Sequence, residues 1–401
     1  MKILLSAYAC EPNKGSEPGV GWNWSTELSR LGHDVWVLTR ENNRNNITSM
    51  LSELPESKNL HFIYYDLPQW ARWWKKGDRG VRLYYFLWQL GAYFFIKDIH
   101  KQESFDKVHH VTFVSVRQPS FMGNLGIPFT FGPVAGGERA PWRLRVSYGI
   151  RGWILDGVRD LMNFFIKLDP FMWMTFSQAE KIYVTSVQTK KLLPKQFHKK
   201  TTVQLAIGYD NKNTLLLEKK KISTTFKVLY VGRFIYWKGM HLGIPAFAEF
   251  LKKVPGARLT MISGGPDKKY LEKIAREFNV YDHIEWLDRI EQSALSDYFG
   301  NHDVFLFPSL HDSGGMVVLE AMAHHLPVVC LDLGGPGTIV NNTNGIVIST
   351  EQKCEREIIH KICDALVWLQ NNNEIRTDLG NQAYNTVSEY RWSSLVNKLY
   401  N

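Results

Sequence analysis

The feature that most constrains this chain is an alternation of short apolar runs with helix-length segments, sustained along its 401 residues. "MKILLS", "HDVWVLTR", "LHFIYYDL", "KVHHVT", "PFTFGPV", "KIYVTS" and "TTVQLA" read as strands in the first half. "VLYVGRF", "ARLTMISG", "IEWLD", "VFLFPS", "VVCLDL" and "GIVIS" read as strands in the second. Strands that alternate with helices pair in parallel, because each crossover carries a helix over the sheet, and helices then cover both faces. Between the two series, "GYDNKNTLLLEKKKISTT" loses periodicity and gains charge, as a linker does. The pattern predicts an α/β chain of two Rossmann-like parallel-sheet domains. The first covers 1–206, a linker 207–225, and the second domain 226–380. A helical segment, 381–401, is free to pack back on the first domain. Ser16 and Pro18 open the first helix and Gly32 closes it.

A chain of this length suits two domains. Hydrophobic residues at 44% and charged ones at 22% fit a soluble globular protein with an ample core. The first residues are too briefly apolar for a signal peptide. The longest greasy run, Leu83 to Ile96, is too short to span a bilayer. Cys10, Cys330, Cys354 and Cys363 have no metal-type spacing, and Cys330 reads as a buried thiol in a strand. A reducing, cytosolic compartment is the expectation. The basic excess lies in one half: residues 1–205 hold 27 Lys+Arg against 17 Asp+Glu, whereas residues 206–401 hold 21 against 22. A net +10 on the first half points to an anionic partner for it. No nucleic-acid motif accompanies that charge.

Parallel sheets place ligands at the carboxyl ends of their strands. There, "GRFIYWKG" sets Arg233 and Lys238 just after a strand, two cations suited to a diphosphate. "SLHDSGGMVVLEAMAHHLPVV" (309–329) runs from a strand end into a helix. Its backbone N–H groups near Gly315 and Met316 suit a phosphate or a sugar hydroxyl. Glu320, inside that helix, can accept two ribose hydroxyls, and Asp312 precedes the helix at the reacting end. Each acid alone reads as a helix cap or an exposed face; their combination with Arg233 and Lys238 carries the site.

These stretches resemble the family-4 glycosyltransferases, the retaining, nucleotide-sugar-dependent class with the GT-B fold. That family carries G-R-x(4)-K-G at a strand end and E-x7-E before "EAMA.G.PVV". The likeness continues through "ISGGP", "DVFLFPS", "LGGPGTIV" and "NGIV", over most of residues 226–350. In the first half "GSEPGVGW" takes the place of the glycine-rich loop, so Gly15 joins the donor site by resemblance. The resemblance implies two domains facing a central cleft, with Arg233 and Lys238 on the donor diphosphate, Glu320 on the ribose and Asp312 at the donor sugar. It implies a histidine facing the sugar from "HHVT", either His109 or His110. Two departures stand out: Asp312 where the family has Glu, and Thr338 where Glu is common. Glu17, Glu138 and Arg139 are acceptor-side candidates or plain loop residues.

Transfer from a nucleotide sugar breaks a C1–O bond through an oxocarbenium-like state, and charge builds on the leaving oxygen. Fixed cations and helix N–H groups meet that charge. No Asp-x-Asp occurs in the sequence, so no metal and no cofactor are expected. The resemblance implies front-face attack, with the leaving phosphate taking the acceptor proton. The expected function is hexosyl transfer from a UDP- or GDP-linked sugar to a lipid-linked or glycan acceptor, in assembly of a bacterial cell-surface polysaccharide. A sugar-nucleotide epimerase or hydrolase on the same fold stays open, as does a non-catalytic binding protein. A nicotinamide dehydrogenase does not fit, because no G-x-G-x-x-G follows the first strand.

"QWARWWKKGDRGVRLYYFLWQLGAYFFIK" (69–97) interleaves Trp70, Trp73 and Trp74 with Arg72, Lys75, Lys76, Arg79 and Arg82. A second such mixture runs over 148–174. Tryptophans favour the membrane interface and cations its anionic headgroups. The expectation is a peripheral protein on the inner leaflet, with Leu83 to Ile96 buried and Trp70 to Arg82 against lipid.

Overall fold

The computed structural model describes residues 1–14, 16–75, 77, 79–113, 115–210 and 225–400. Gly15, Lys76 and most of the charged linker, 211–224, lie outside the described residues. The chain forms two compact units. One comprises Met1–Gly137, Leu161–Gly208 and Trp392–Asn401; the other comprises Glu138–Asp160 and Tyr209–Arg391.

The first unit holds seven strands: β1 (Lys2–Ser6), β2 (Asp34–Thr39), β3 (Leu60–Tyr64), β4 (Lys107–His110), β5 (Phe129–Val134), β6 (Lys181–Val184) and β7 (Thr201–Val203). Their order is β3-β2-β1-β4-β5-β6-β7, all parallel. Side chains alternate across the sheet, so Leu4 and Val108 join one apolar cluster while Ile3, Leu5, Val35 and Val37 join the other. Helix Val81–Glu103 covers the first face, and the greasy run of the sequence lies within it. Tyr84, Tyr85, Trp88, Ala92 and Ile96 recur every three or four residues and are buried; Leu83, Phe94 and Phe95 are exposed. Helix Ser16–Arg30 lies over the other face through Val20, Trp24 and Leu28.

The second unit holds six strands: β8 (Lys227–Val231), β9 (Arg258–Ile262), β10 (Ile284–Leu287), β11 (Val304–Phe307), β12 (Val328–Leu331) and β13 (Gly345–Ile348). They lie parallel in the order β10-β9-β8-β11-β12-β13. Every residue of β11 and β12 is buried, which is why both read as unbroken apolar runs rather than alternating ones. Cys330 is buried in β12, and all four cysteines are free thiols.

The division departs from a single cut near residue 207 in two places. Glu138–Asp160 belongs with the second unit because its polar side chains are bonded there: Asp156 accepts the Tyr236 hydroxyl at 3.2 Å, and Ser147 donates its hydroxyl to Glu355 at 2.5 Å. The closing helix is shorter than the segment 381–401: only Trp392–Asn401 belongs with the first unit. There Tyr400 reaches His109, and Trp392 covers Gly208 so closely that an added Cβ would meet its ring at 2.7 Å.

Candidate functional site

In both sheets the strand order reverses about a central pair, β1 and β4 in the first and β8 and β11 in the second. Such a switch point leaves a crevice at the carboxyl ends, because the two crossovers leave in opposite directions. In the second unit the singled-out residues gather there. Arg233 and Lys238 follow β8, and Asp312 follows β11.

The loop after β8 owes its shape to close backbone approach. Gly239 has φ +77°, and a Cβ on it would lie 1.8 Å from the Pro308 carbonyl oxygen. Only glycine fits, which explains the end of G-R-x(4)-K-G in physical terms. The buried Tyr230 donates its hydroxyl to the Arg233 carbonyl at 3.3 Å, steadying the turn from within. The Arg233 side chain is exposed. Lys238 instead forms an ion pair with Asp312, its ammonium 5.0 Å from the centre of the Phe307 ring.

Asp312 is held from several sides. Its Oδ1 accepts the N–H groups of Gly314 at 3.1 Å and Gly315 at 3.3 Å, its Oδ2 pairs with Lys238, and its backbone carbonyl accepts Gly335 N–H at 2.7 Å. Burial alone would raise this carboxyl, but Lys238 and the two N–H groups outweigh it and leave the group below the usual carboxylate range. The expectation of free N–H groups at this helix start is therefore corrected: the Gly314 and Gly315 donors are occupied by the chain's own carboxylate. Met316 begins helix Met316–Ala323 beyond them. Thr338, the second departure from the family pattern, bonds back to the Gly334 carbonyl at 2.9 Å.

Glu320 lies one turn into that helix and is half-buried. Burial pushes its carboxyl up to about 7. It also raises the hydroxyl of Tyr209, which is near enough to feel its charge. Beside Arg233 opens a cavity of about 400 Å³, lined among others by Arg151, Tyr236, Trp237, Asp267 and Tyr270. Burial raises the Asp267 carboxyl too, and its Oδ2 is buried without a hydrogen-bond partner.

The two histidines do not join this group. They are neighbours on β4, so their rings point to opposite faces of the first sheet. His109 is 0% exposed, with Nε2 at 2.6 Å from the Gly132 carbonyl oxygen and Nδ1 at 2.7 Å from the Tyr400 hydroxyl. The carbonyl can only accept, so Nε2 carries the proton and Nδ1 accepts from Tyr400. Burial lowers the imidazole to about 3, which keeps it neutral. His110 is also buried, its Nε2 3.1 Å from the Tyr85 hydroxyl, and is lowered to about 4 by burial. The expectation of a histidine presented to a sugar is corrected for His109, whose nitrogens are both engaged inside the core. His110 is equally enclosed.

Sequence reading missed a buried polar cluster that adjoins Asp312. His311 stacks on Trp237 with ring centres 5.1 Å apart. Its Nδ1 lies 3.0 Å from Arg159 and its Nε2 3.5 Å from Asp156. Arg145 donates to Asp160 at 2.9 Å and lies 3.6 Å from Asp156. Burial would raise Asp156, but His311, Arg145 and the Tyr236 hydroxyl hold it low. Glu138 is buried with Arg159 at 3.8 Å, and Arg139 pairs with Asp160 at 3.1 Å. Glu138 and Arg139, two of the three acceptor candidates, are thus tied into this cluster, whereas Glu17 lies in the first turn of helix Ser16–Arg30. The one clue in the sequence was charge density, "GERAPWRLR" before "RGWILDGVRD".

Two doubly wound sheets, with cations and carboxylates at the switch point of the second, define an α/β protein whose site chemistry suits a phosphorylated ligand. Residues 212–386 match the family model described as Glycosyl transferases group 1. An uncharacterized glycosyltransferase of Haemophilus influenzae is 23% identical over 228 residues, covering 56% of this chain and 61% of that protein. A GDP-mannose-dependent alpha-(1-6)-phosphatidylinositol monomannoside mannosyltransferase of Mycobacterium tuberculosis is 27% identical over 181 residues, 43% of this chain and 46% of its own. The matched stretches thus span about half of these relatives. An alpha-monoglucosyldiacylglycerol synthase of Acholeplasma laidlawii matches at 24% over 403 residues, 94% of this chain and 92% of the relative. Among solved structures, the lipopolysaccharide outer core galactosyltransferase WaaB superposes with TM-score 0.64 at 13% identity, covering 100% of this chain and 98% of that one. Sucrose-phosphate synthase from Thermosynechococcus elongatus gives 0.63 at 17%, covering 100% and 97%. The fold is the GT-B type expected from the sequence.

Proposed function

We propose that this chain is a retaining glycosyltransferase that moves a hexosyl unit from a nucleotide sugar to a lipid-linked or glycan acceptor. The observation that carries the reading is the Lys238–Asp312 ion pair at the β8/β11 switch point, with Arg233 on the same loop as Lys238 and Glu320 one turn into the helix that follows Asp312, within the stretch that matches the glycosyltransferase group 1 model. Arg233 and Lys238 hold the donor diphosphate, Glu320 accepts the ribose hydroxyls, and Asp312 orients Lys238 near the donor sugar. In the reaction the C1–O bond to the diphosphate breaks while a bond from C1 to the acceptor oxygen forms. The acceptor proton passes to the leaving phosphate, and a nucleoside diphosphate departs. The cations stabilise charge on the leaving oxygen, so neither metal nor cofactor is needed.

The donor nucleoside is uridine or guanosine. One relative is named for its GDP-mannose dependence, and a neighbouring fold, Anabaena HepE, is described in complex with UDP. A lipid-linked acceptor accords with a relative named as an alpha-monoglucosyldiacylglycerol synthase. It also accords with the first unit's surface, where Trp70 and Trp73 are 79% and 76% exposed beside Arg72 and Lys75. Among the described residues no helix is long and apolar enough to cross a membrane, so lipid is met at the surface. The protein acts on the inner leaflet, in cell-surface glycan assembly.

Thermal unfolding with UDP, GDP and ADP, and then with the matching sugars, tests this. One nucleotide raises the midpoint, its sugar conjugate raises it further, and Arg233→Ala removes the gain. Indifference to all three nucleotides would end the reading. Rapid interconversion of the nucleotide sugar without acceptor would favour the epimerase.

A further inference from the structure

Helix Ile150–Phe165 is built inside out. Its buried side carries small and polar residues. A Cβ on Gly152 would meet the Tyr236 ring at 3.2 Å, Asp156 accepts the Tyr236 hydroxyl, and Arg159 lies on His311. Its outer side carries Ile150, Ile154 and Val158, spaced by four, with Trp153 beside them, and all are exposed. Trp142 and Val146, just upstream, are exposed as well, and Ile150 reaches 81%. A helix in water normally shows the reverse arrangement. Scattered apolar residues on a surface need no account, but one continuous helical face of this size marks an interaction surface.

Resting on the lipid-surface part of the reading above, we infer that the outer face of helix Ile150–Phe165 is inserted in the headgroup–acyl boundary of an anionic bilayer. Three observations select lipid over a protein partner. The two acids of this helix, Asp156 and Asp160, are both paired with the buried Arg145, so the apolar side carries no carboxylate to meet anionic headgroups. Exposed Arg143 and Arg151 flank it, and cations beside a half-exposed tryptophan match the headgroup zone. At 16 residues the helix is about 24 Å long, too short to span and suited to lying in the plane of the interface.

The test is co-flotation of the full chain with phosphatidylcholine vesicles, with and without phosphatidylglycerol. Wild type floats with the anionic vesicles, and Ile150→Glu/Ile154→Glu lowers that partition by at least about tenfold with the unfolding midpoint unchanged. If the double variant loses its midpoint, Trp153→Ala carries the test, with a smaller loss of partition. Unchanged flotation of these variants, with loss in Lys75→Glu/Arg79→Glu alone, overturns the inference while leaving membrane binding intact. A dimer in vesicle-free buffer that Ile150→Glu/Ile154→Glu dissociates, without vesicle binding by wild type, also overturns it, in favour of a second copy on this face. The donor site is read separately, by the shift in midpoint with UDP or GDP in the absence of vesicles. A nucleotide response without flotation therefore rejects the helix assignment and keeps the transferase.

Discussion

Replacing Glu320 with Gln should make the protein more stable and a poorer nucleotide binder, and pH should decide by how much. In the folded chain burial pushes the Glu320 carboxyl from 4.5 up to about 7. Each unit of such a shift corresponds to about 1.4 kcal/mol, so the full penalty approaches about 3 kcal/mol. Partial exposure of the side chain reduces the expected value to about 1–3 kcal/mol. The sign follows from proton counting. Between pH 4.5 and about 7 the folded state binds more protons than the unfolded one at this position, so stability falls as pH rises through that window and stays low above it. Gln cannot ionise and escapes the penalty, so Glu320→Gln gains stability at pH 8 and almost none at pH 4.5. Nucleotide binding moves the other way. Two charge-assisted bonds from ribose hydroxyls to a carboxylate lose about 1–3 kcal/mol on substitution at pH 8, where wild type is ionised. At pH 6 the free carboxyl is mostly protonated, and the difference between variant and wild type narrows. Urea unfolding and isothermal titration with UDP or GDP at pH 6, 7 and 8 measure both quantities. A variant less stable than wild type at pH 8, or nucleotide affinity unaffected by the substitution at every pH, would refute the assignment.

Arg233→Ala and Lys238→Ala should each slow transfer by about 2–4 kcal/mol of transition-state stabilisation and weaken nucleotide-sugar binding, as read from kcat/KM and titration. Activity should persist in excess EDTA; abolition by chelator with rescue by manganese or magnesium would contradict charge stabilisation by side chains. Gly239→Ala should lower stability by at least about 1–3 kcal/mol, because its Cβ collides with the Pro308 carbonyl and its φ is positive; an unchanged urea midpoint would show that the loop yields.

The fold was legible because its determinants are local. Each expected strand is present, since an apolar run between turn residues forms a strand whichever neighbour it pairs with. The Arg233–Lys238 loop was legible for a similar reason: a collision between Gly239 and Pro308 stamps a glycine into the sequence. The histidines show where this ends. Adjacency in "HHVT" guarantees opposite faces, but nothing in the four letters says that Tyr400, 291 positions away, closes over one of them. The cluster of Asp156, Arg145 and His311 showed only as charge density for the same reason, its members being joined by tertiary structure. Helix Ile150–Phe165 is a subtler case. Its period of apolar residues is plain in the sequence, but periodicity does not say which side faces in, and the ordinary assumption here gives the wrong side.

Asp312 is, in effect, the resident counter-anion of its own site. Lys238 and the N–H groups of Gly314 and Gly315 are the groups that a phosphate would seek, and one tethered carboxylate already holds them. Tethering gives that carboxylate a high effective concentration, which a dissolved anion has to match before it can exchange. Inorganic phosphate or sulfate brings a single charge centre and must shed its own hydration, so it would compete poorly. On the proposed reading, a nucleoside diphosphate sugar would bring further anchors, its ribose for Glu320 and its second phosphate for Arg233, and these would tip the exchange. On that reading the aspartate would act as a threshold, keeping Lys238 screened from small dissolved anions and releasing it to a ligand that engages the site at several points at once.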